Sequence, residues 1–125
     1  MDIILIPYCN GSHWTLLVVN VTLKRLEYYD SLGGGCNPNL VEGTMVVLSS
    51  WRAASNIPLE TGNWPTLDMY HLGVAPHQRN YCDCGIFVMR VAEHLVRGAS
   101  LLDISQSEMS WLRKLTVLEL KEGTF

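Results

Sequence analysis

The segment "PHQRNYCDCGIFVMR" sets a cysteine, Cys84, immediately before a glycine and an apolar run of helical character. A thiol at or just before a helix N-terminus faces free N–H groups and the positive end of the helix dipole, and both favour the reactive thiolate. Gly85 removes a side chain that would block an approaching carbonyl. The same position also suits a small buried hydrophobe, so Cys84 alone leaves both readings open. A nucleophile needs a base, and His13 heads the strand-like "HWTLLVVNV" just after a turn. A base needs an orienting acceptor, and Asp30 ends the next strand-like run, "RLEYYD". If the two runs pair as a hairpin, the start of one lies beside the end of the other. His13 and Asp30 then become spatial neighbours in the base-plus-orienter arrangement of a nucleophilic triad. Gln78, six positions before Cys84, could give its amide N–H, with the backbone N–H of Cys84, to a developing oxyanion. Taken singly, His13 reads as a surface histidine, Asp30 as a turn residue and Gln78 as a polar loop residue.

Other groups compete less well. His77 directly precedes Gln78 in a loop and has no acid with a geometric claim on it. His94 lies ten residues into the helix, about 15 Å from its start at ~1.5 Å per residue. His71 has no distinguishing context. Cys9, Cys36, Cys82 and Cys84 form no C-x-x-C pair, so no structural zinc site is expected. Trp14 opens a strand, where a tryptophan is usually core. Strand alternation puts it on the sheet face opposite to His13.

These residues need a scaffold. "DIILIPY" reads as a short strand ended by Pro7, with "CNGS" as a turn. Residues 13–21 and 25–30 read as strands joined near Lys24 and Arg25. "SLGGGCNPN" is loop. Leu40 to Ala54 reads as a helix whose apolar face carries Leu40, Val41, Met45, Val47, Leu48, Trp51 and Ala54. "SNIPLETGNWPTLDM" reads as loop and "YHLGVAP" as a short strand. Gly85 to Arg97 reads as a buried helix through Ile86, Met89, Val91, Ala92, Leu95 and Val96, stopped by Gly98. A last helix carries Met109, Leu112, Leu115 and Leu118 and opens on a Ser105–Glu108 capping box. Strands come first and helices later, which predicts an α+β fold.

With 125 residues, 48% hydrophobic and 17% charged, the chain is sized for one domain and too apolar for disorder. A net charge of −3 argues against a generic nucleic-acid binder. No apolar run approaches the roughly 18 residues of a membrane span, and the N-terminus lacks the basic region of a signal peptide. An intracellular setting with reduced thiols is therefore expected. The glycosylation patterns at Asn10 and Asn20 are cheap matches and carry no weight. The chain opens almost directly on a strand, which is expected of the later part of a larger domain.

Together, "HW", "YYDSLG" and "HQRNYCDCG", in that order, resemble the ubiquitin-like-protein-specific cysteine proteases, the Ulp or sentrin-specific family that processes and removes SUMO. The resemblance covers nearly the whole chain and extends into "ISQSEMSWLRKLTVLEL". It implies that His13, Asp30 and Cys84 are the catalytic triad, that Gln78 serves the oxyanion, and that Trp14 covers a narrow channel threaded by a Gly-Gly tail. It implies a papain-like cysteine-protease fold with rearranged chain order, a central mixed sheet flanked by helices. Residues 1–125 would be the C-terminal portion of such a catalytic domain, its N-terminal part missing and with it an aromatic partner for Trp14. It further implies a thiol protease, without metal or organic cofactor, that cleaves after the terminal glycine of a ubiquitin-like modifier, SUMO foremost. Such an enzyme would work as a monomer in the nucleus or cytoplasm, without nucleic-acid or membrane partners. The other reading is a catalytically impaired fragment that binds a modifier without turnover. Tyr81 and Cys82 depart from the pattern, since the family usually has small residues there. A thiol at Cys82 is either inert or open to oxidation in exchange with Cys84.

Overall fold

The structure, a computed structural model, describes residues 2–55 and 62–123. Strands β1 (Ile3–Asn10), β2 (His13–Asn20), β3 (Arg25–Tyr29) and β4 (Thr66–Asp68) form one sheet in the order β1-β2-β3-β4. The first three are antiparallel and β4 runs parallel to β3, so the sheet is mixed. Helices α1 (Pro38–Ser55), α2 (Cys84–Arg97) and α3 (Met109–Glu122) complete the α+β arrangement expected from the order of elements.

β2 is the central strand because its residues suit burial on both faces. Thr15 to Asn20 are all buried. Leu16 and Val18 pack with Tyr29, Phe87, Val91 and Met109 on the α2 side, while Leu17 and Val19 pack with Leu26, Tyr28 and Leu48 on the α1 side. Each such side chain contributes about 1.5–3 kcal/mol by leaving water. Gly11, at φ 66°, makes the tight turn from β1 to β2, a conformation that costs a glycine little.

Pro7 does not end the first strand, which runs on to Asn10. The bond from the Val21 N–H to the Asp2 carbonyl fixes which pairs exchange hydrogen bonds, and by alternation the Pro7–Leu16 pair does not. The nitrogen of Pro7 thus faces the open edge of the sheet, where its missing N–H costs nothing. The short strand expected at residues 70–76 is absent. Its place is taken by β4, a three-residue strand just upstream, where Leu26 N–H reaches the Pro65 carbonyl and Met69 N–H the Tyr28 carbonyl. Residues 70–73 form a turn closed by Gly73 at φ 72°. Of the loop expected across residues 55–69, residues 56–61 lie outside the described residues.

The helices match in place and differ in detail. α1 starts at Pro38 rather than Leu40, because the Asn37 carboxamide caps the N–H of Asn39 at 2.9 Å and proline suits the first helical position. Its Val47 and Trp51 are exposed beside β1 instead of buried. Gly98 stops α2 in the left-handed conformation, as expected. Met89 and Val96 are exposed, and Phe87, Val88 and Arg90 are buried in their stead. The Ser105–Glu108 capping box does not form. The two side chains bond each other at 3.1 Å, and a 3₁₀ turn, Gln106–Glu108, leads into α3. Leu118 of α3 is exposed, while Thr116 is buried against Arg90. No helix among the described residues is long and apolar enough to cross a membrane.

Candidate active site

The β2–β3 register sets Leu16 opposite Tyr29. One step further along, Thr15 lies opposite Asp30, and His13 is its same-face diagonal neighbour. His13 Nε2 is 2.6 Å from Asp30 Oδ1. The carboxylate also accepts the Leu32 N–H at Oδ1 and the Gly34 N–H at Oδ2, each at 2.8 Å. Its side chain is 3% exposed against 27% for His13, so the acid is buried and the ring reaches solvent. An ionised carboxylate only accepts, so the bond places a proton on Nε2 and leaves Nδ1 as the ring's free nitrogen.

Cys84 is the first residue of α2 and is buried. Its thiol points to the Ser12 carbonyl at 3.9 Å, which sets the sulfur against the residue just before His13. The thiol thus lies beside the end of β2 from which His13 reaches Asp30. Competing histidines are engaged elsewhere. His71 pairs with Asp68 at 2.8 Å, His77 stacks on Tyr70 with centroids 4.0 Å apart, and His94 bonds the Arg90 carbonyl at 2.8 Å.

Asp83, at the N-cap of α2, is a residue type that usually caps, yet its side chain makes no bond to the helix N–H groups. Its oxygens instead accept from Asn80 Nδ2 at 2.6 Å, from Gln106 Nε2 at 3.0 Å, and from the Arg113 guanidinium. The Asn80 amide first, then Arg113, hold the Asp83 carboxyl below the usual carboxylate range. Two consequences follow for the thiol. The first-turn N–H groups of α2 keep no side-chain cap, and the carboxylate beside Cys84 is matched by a cation.

Gln78 is buried and held at both ends. Its Oε1 accepts the Ser31 hydroxyl at 2.7 Å, its Nε2 donates to Asn80 Oδ1 at 3.1 Å, and its own N–H bonds the Ser31 carbonyl at 2.7 Å. The loop after Asp30 and the loop before Cys84 are thus laced together. Tyr70 adds to this, its ring packed against Gly33 and stacked on His77. Trp14 is 43% exposed, so it is not core. A Cβ placed on Gly85 would lie 3.8 Å from the indole Cδ1, which sets Trp14 over the start of α2 beside Cys84. None of the four cysteines is in a disulfide, and Cys82 is exposed.

Sequence reasoning did not single out Ser31, Asn80, Gln106, Arg113 or Gly34. Ser31 and Asn80 lie inside the segments that carried the resemblance, and asking where the amide of Gln78 finds its partners would have raised them. Arg113 and Gln106 reach Asp83 from α3 and the turn before it, which no local pattern shows.

Residues 1–123 match the model of the Ulp1 protease family, C-terminal catalytic domain. The ubiquitin-like-specific protease ESD4 of Arabidopsis thaliana is 31% identical over 120 residues, a match covering 95% of this chain and 24% of that protein. Human sentrin-specific protease 2 is 27% identical over 125 residues, covering 95% of this chain and 20% of that protein. Among solved structures, the C-terminal Ulp1 protease domain in complex with Smt3, the yeast ortholog of SUMO, is 28% identical with a TM-score of 0.65. That match covers 90% of this chain and 49% of the solved one. The Chaetomium thermophilum Ulp1-like SUMO protease catalytic domain, at 27% identity, also gives a TM-score of 0.65, over 90% of this chain and 44% of that one. The chain spans about a quarter or less of these curated relatives and about half of the solved domains. It belongs to the Ulp1 protease family.

Proposed function

We propose that this chain carries the catalytic machinery of a thiol protease that cleaves after the C-terminal Gly-Gly of a ubiquitin-like modifier, SUMO foremost, in a precursor or in an isopeptide conjugate. The observation that carries the reading is the 2.6 Å bond between His13 and Asp30, at the same end of the sheet as the α2 N-terminus that bears Cys84. His13, its Nε2 proton held by Asp30, turns Nδ1 to the thiol and takes its proton. The sulfur attacks the carbonyl of the terminal glycine. The negative oxygen that forms is met by the backbone N–H of Cys84 and the amide of Gln78. The imidazolium then gives its proton to the leaving amine, and water releases the acyl-enzyme by the same route reversed.

Glycine at the scissile position follows from Trp14. An indole lying over the first turn of α2 leaves a slot in which side chains are excluded, so selection there works by steric rejection. The working form is a monomer of the nucleus or cytoplasm, and residues 1–125 are the C-terminal portion of the catalytic domain. One observation favours the second reading, a binding fragment without turnover. A groove of about 880 Å³ beside β1 and α1 leaves Val47 and Trp51 exposed and Ile6 half-buried, apolar surface of the kind a binding fragment presents.

One experiment separates the readings. SUMO bearing a C-terminal electrophile is incubated with the protein and with Cys84→Ala. A covalent adduct that requires Cys84 supports the protease. Binding without adduct supports the fragment, and neither outcome with SUMO but adduct with ubiquitin moves the choice of modifier.

A further inference from the structure

Gln78 needs more than proximity to serve an oxyanion. A carboxamide on a rotatable side chain offers two N–H groups and one carbonyl, and only one orientation turns an N–H to the reacting centre. We propose that Asn80 is a positioning residue, which with Ser31 clamps the Gln78 carboxamide so that one Nε2 proton is tied off and the other is presented to the substrate oxygen. The proposal rests on the protease reading above and deepens it.

Four bonds converge on Asn80. Its Oδ1 accepts Gln78 Nε2 at 3.1 Å and the N–H groups of Cys82 and Asp83 at 3.2 Å each. Its Nδ2 donates to Asp83 Oδ2 at 2.6 Å. The bonds to Cys82 and Asp83, a turn that Gln106 and Arg113 hold independently, fix Asn80 as a rigid anchor for the oxyanion amide. From the other side the Ser31 hydroxyl donates to Gln78 Oε1 at 2.7 Å, while Asn80 Oδ1, held as an acceptor by the Cys82 and Asp83 N–H groups, excludes the flipped amide, because the flip would set two carbonyl oxygens against each other. Ser31 follows Asp30 directly, so the loop that carries the acid also holds the oxyanion donor. Asp83 is in turn anchored on Gln106 and Arg113. The clamp is therefore referenced to α3 as well as to the sheet. Preorganised donors of this kind act because they need no reorientation as charge develops.

The test uses SUMO with a C-terminal fluorogenic amide, iodoacetamide as a probe of the thiol alone, and side-chain amide exchange in isotope-labelled protein. Asn80→Ala is expected to lower kcat about 10-fold with KM within about 2-fold. Alkylation of Cys84 by iodoacetamide, which develops no oxyanion, stays within about 2-fold of the parent rate. Combined with Gln78→Ala, the Asn80 change adds less than about 2-fold, because its effect passes through Gln78. Ser31→Ala, a smaller perturbation, lowers kcat about 3-fold with the same non-additivity. A full loss that persists in the Gln78→Ala background, or a parallel fall in alkylation, overturns the proposal. If the parent protein leaves the SUMO amide intact, it is the protease reading that falls. Exchange then still decides the clamp: Gln78 amide protons as protected in Asn80→Ala as in the parent protein would refute it.

Discussion

Asp83 heads α2 yet gives its carboxylate to Arg113 of α3, an ion pair between residues 30 positions apart. An N-cap aspartate turned the other way would bond the first-turn N–H groups and offset the positive helix end that favours the Cys84 thiolate. The pair therefore serves stability and thiol chemistry together. Because the folded-state pKa of Asp83 is depressed, its contribution is fully present above the ordinary carboxylate pKa of about 3.9. It is lost as pH falls from there through the depressed value. Urea unfolding should find Arg113→Ala about 1 kcal/mol less stable than the parent near neutral pH, a modest figure because the guanidinium is half-exposed. The gap should close as pH is lowered below about 4. A gap that widens in acid would mean the pair is not what depresses the carboxyl.

The acid and the oxyanion glutamine act on different steps, and their substitutions should rank accordingly. Asp30→Asn keeps the shape but gives the His13 Nε2–H no carboxylate, so the ring loses the partner that fixes its tautomer. Turnover of a SUMO C-terminal amide should fall about 10⁴-fold, against about 10²–10³-fold for Gln78→Ala. Thermal unfolding should remain cooperative in both. If Gln78→Ala were the more damaging of the two, Asp30 would not be the orienting acid.

What was legible in the sequence follows from what is local or periodic. The meeting of His13 with Asp30 could be foreseen because a hairpin couples the start of one strand to the end of the next, and the register does the rest. The placement of Cys84 followed from the apolar run behind it. β4 was not legible, since three residues, Thr66–Asp68, carry no period, and their pairing with β3 is decided across the fold. The failed capping box at Ser105 shows the same limit, for Gln106, inside that motif, is drawn to Asp83 and to the N–H of Arg79. The direction of the Asp83 side chain depends on Arg113 and was out of reach of any pattern around Cys84.

Gly34 is a position where one methyl group should disable the site. A Cβ there would lie 2.8 Å from Asp30 Oδ2, nearer than real Cβ contacts come, and the carboxylate cannot retreat without releasing His13 or the Leu32 N–H. Gly34→Ala should reduce kcat of the SUMO amide about 10-fold or more, for a displaced acid no longer sets the imidazole. Gly11→Ala, strained by its positive φ but open to solvent, serves as the control and should cost stability of about 1 kcal/mol without a comparable fall in kcat. Equal kinetics for the two would show that the loop at Gly34 yields freely.

Trp14 separates a structural role from a substrate-facing one. Its neighbours along β2, Leu16 to Val19, are buried to within 1% of full burial, whereas the indole stands 43% exposed over Gly85. Removing it should therefore cost little folding free energy, within about 0.5–1 kcal/mol, in contrast to about 3–5 kcal/mol for Phe87→Ala in the core. Its effect should appear in kinetics. Without the lid the Gly-Gly tail is no longer held in register with Cys84, so Trp14→Ala should raise KM and lower kcat for the SUMO amide, together reducing kcat/KM about 10²-fold. Trp14→Phe should recover part of the loss, since a smaller ring still covers the slot. Selectivity should relax in the same direction, with alanine at the scissile position gaining on glycine in Trp14→Ala. If kcat/KM stays at the parent value while the melting temperature drops steeply, the tryptophan is a packing residue and the slot lies elsewhere.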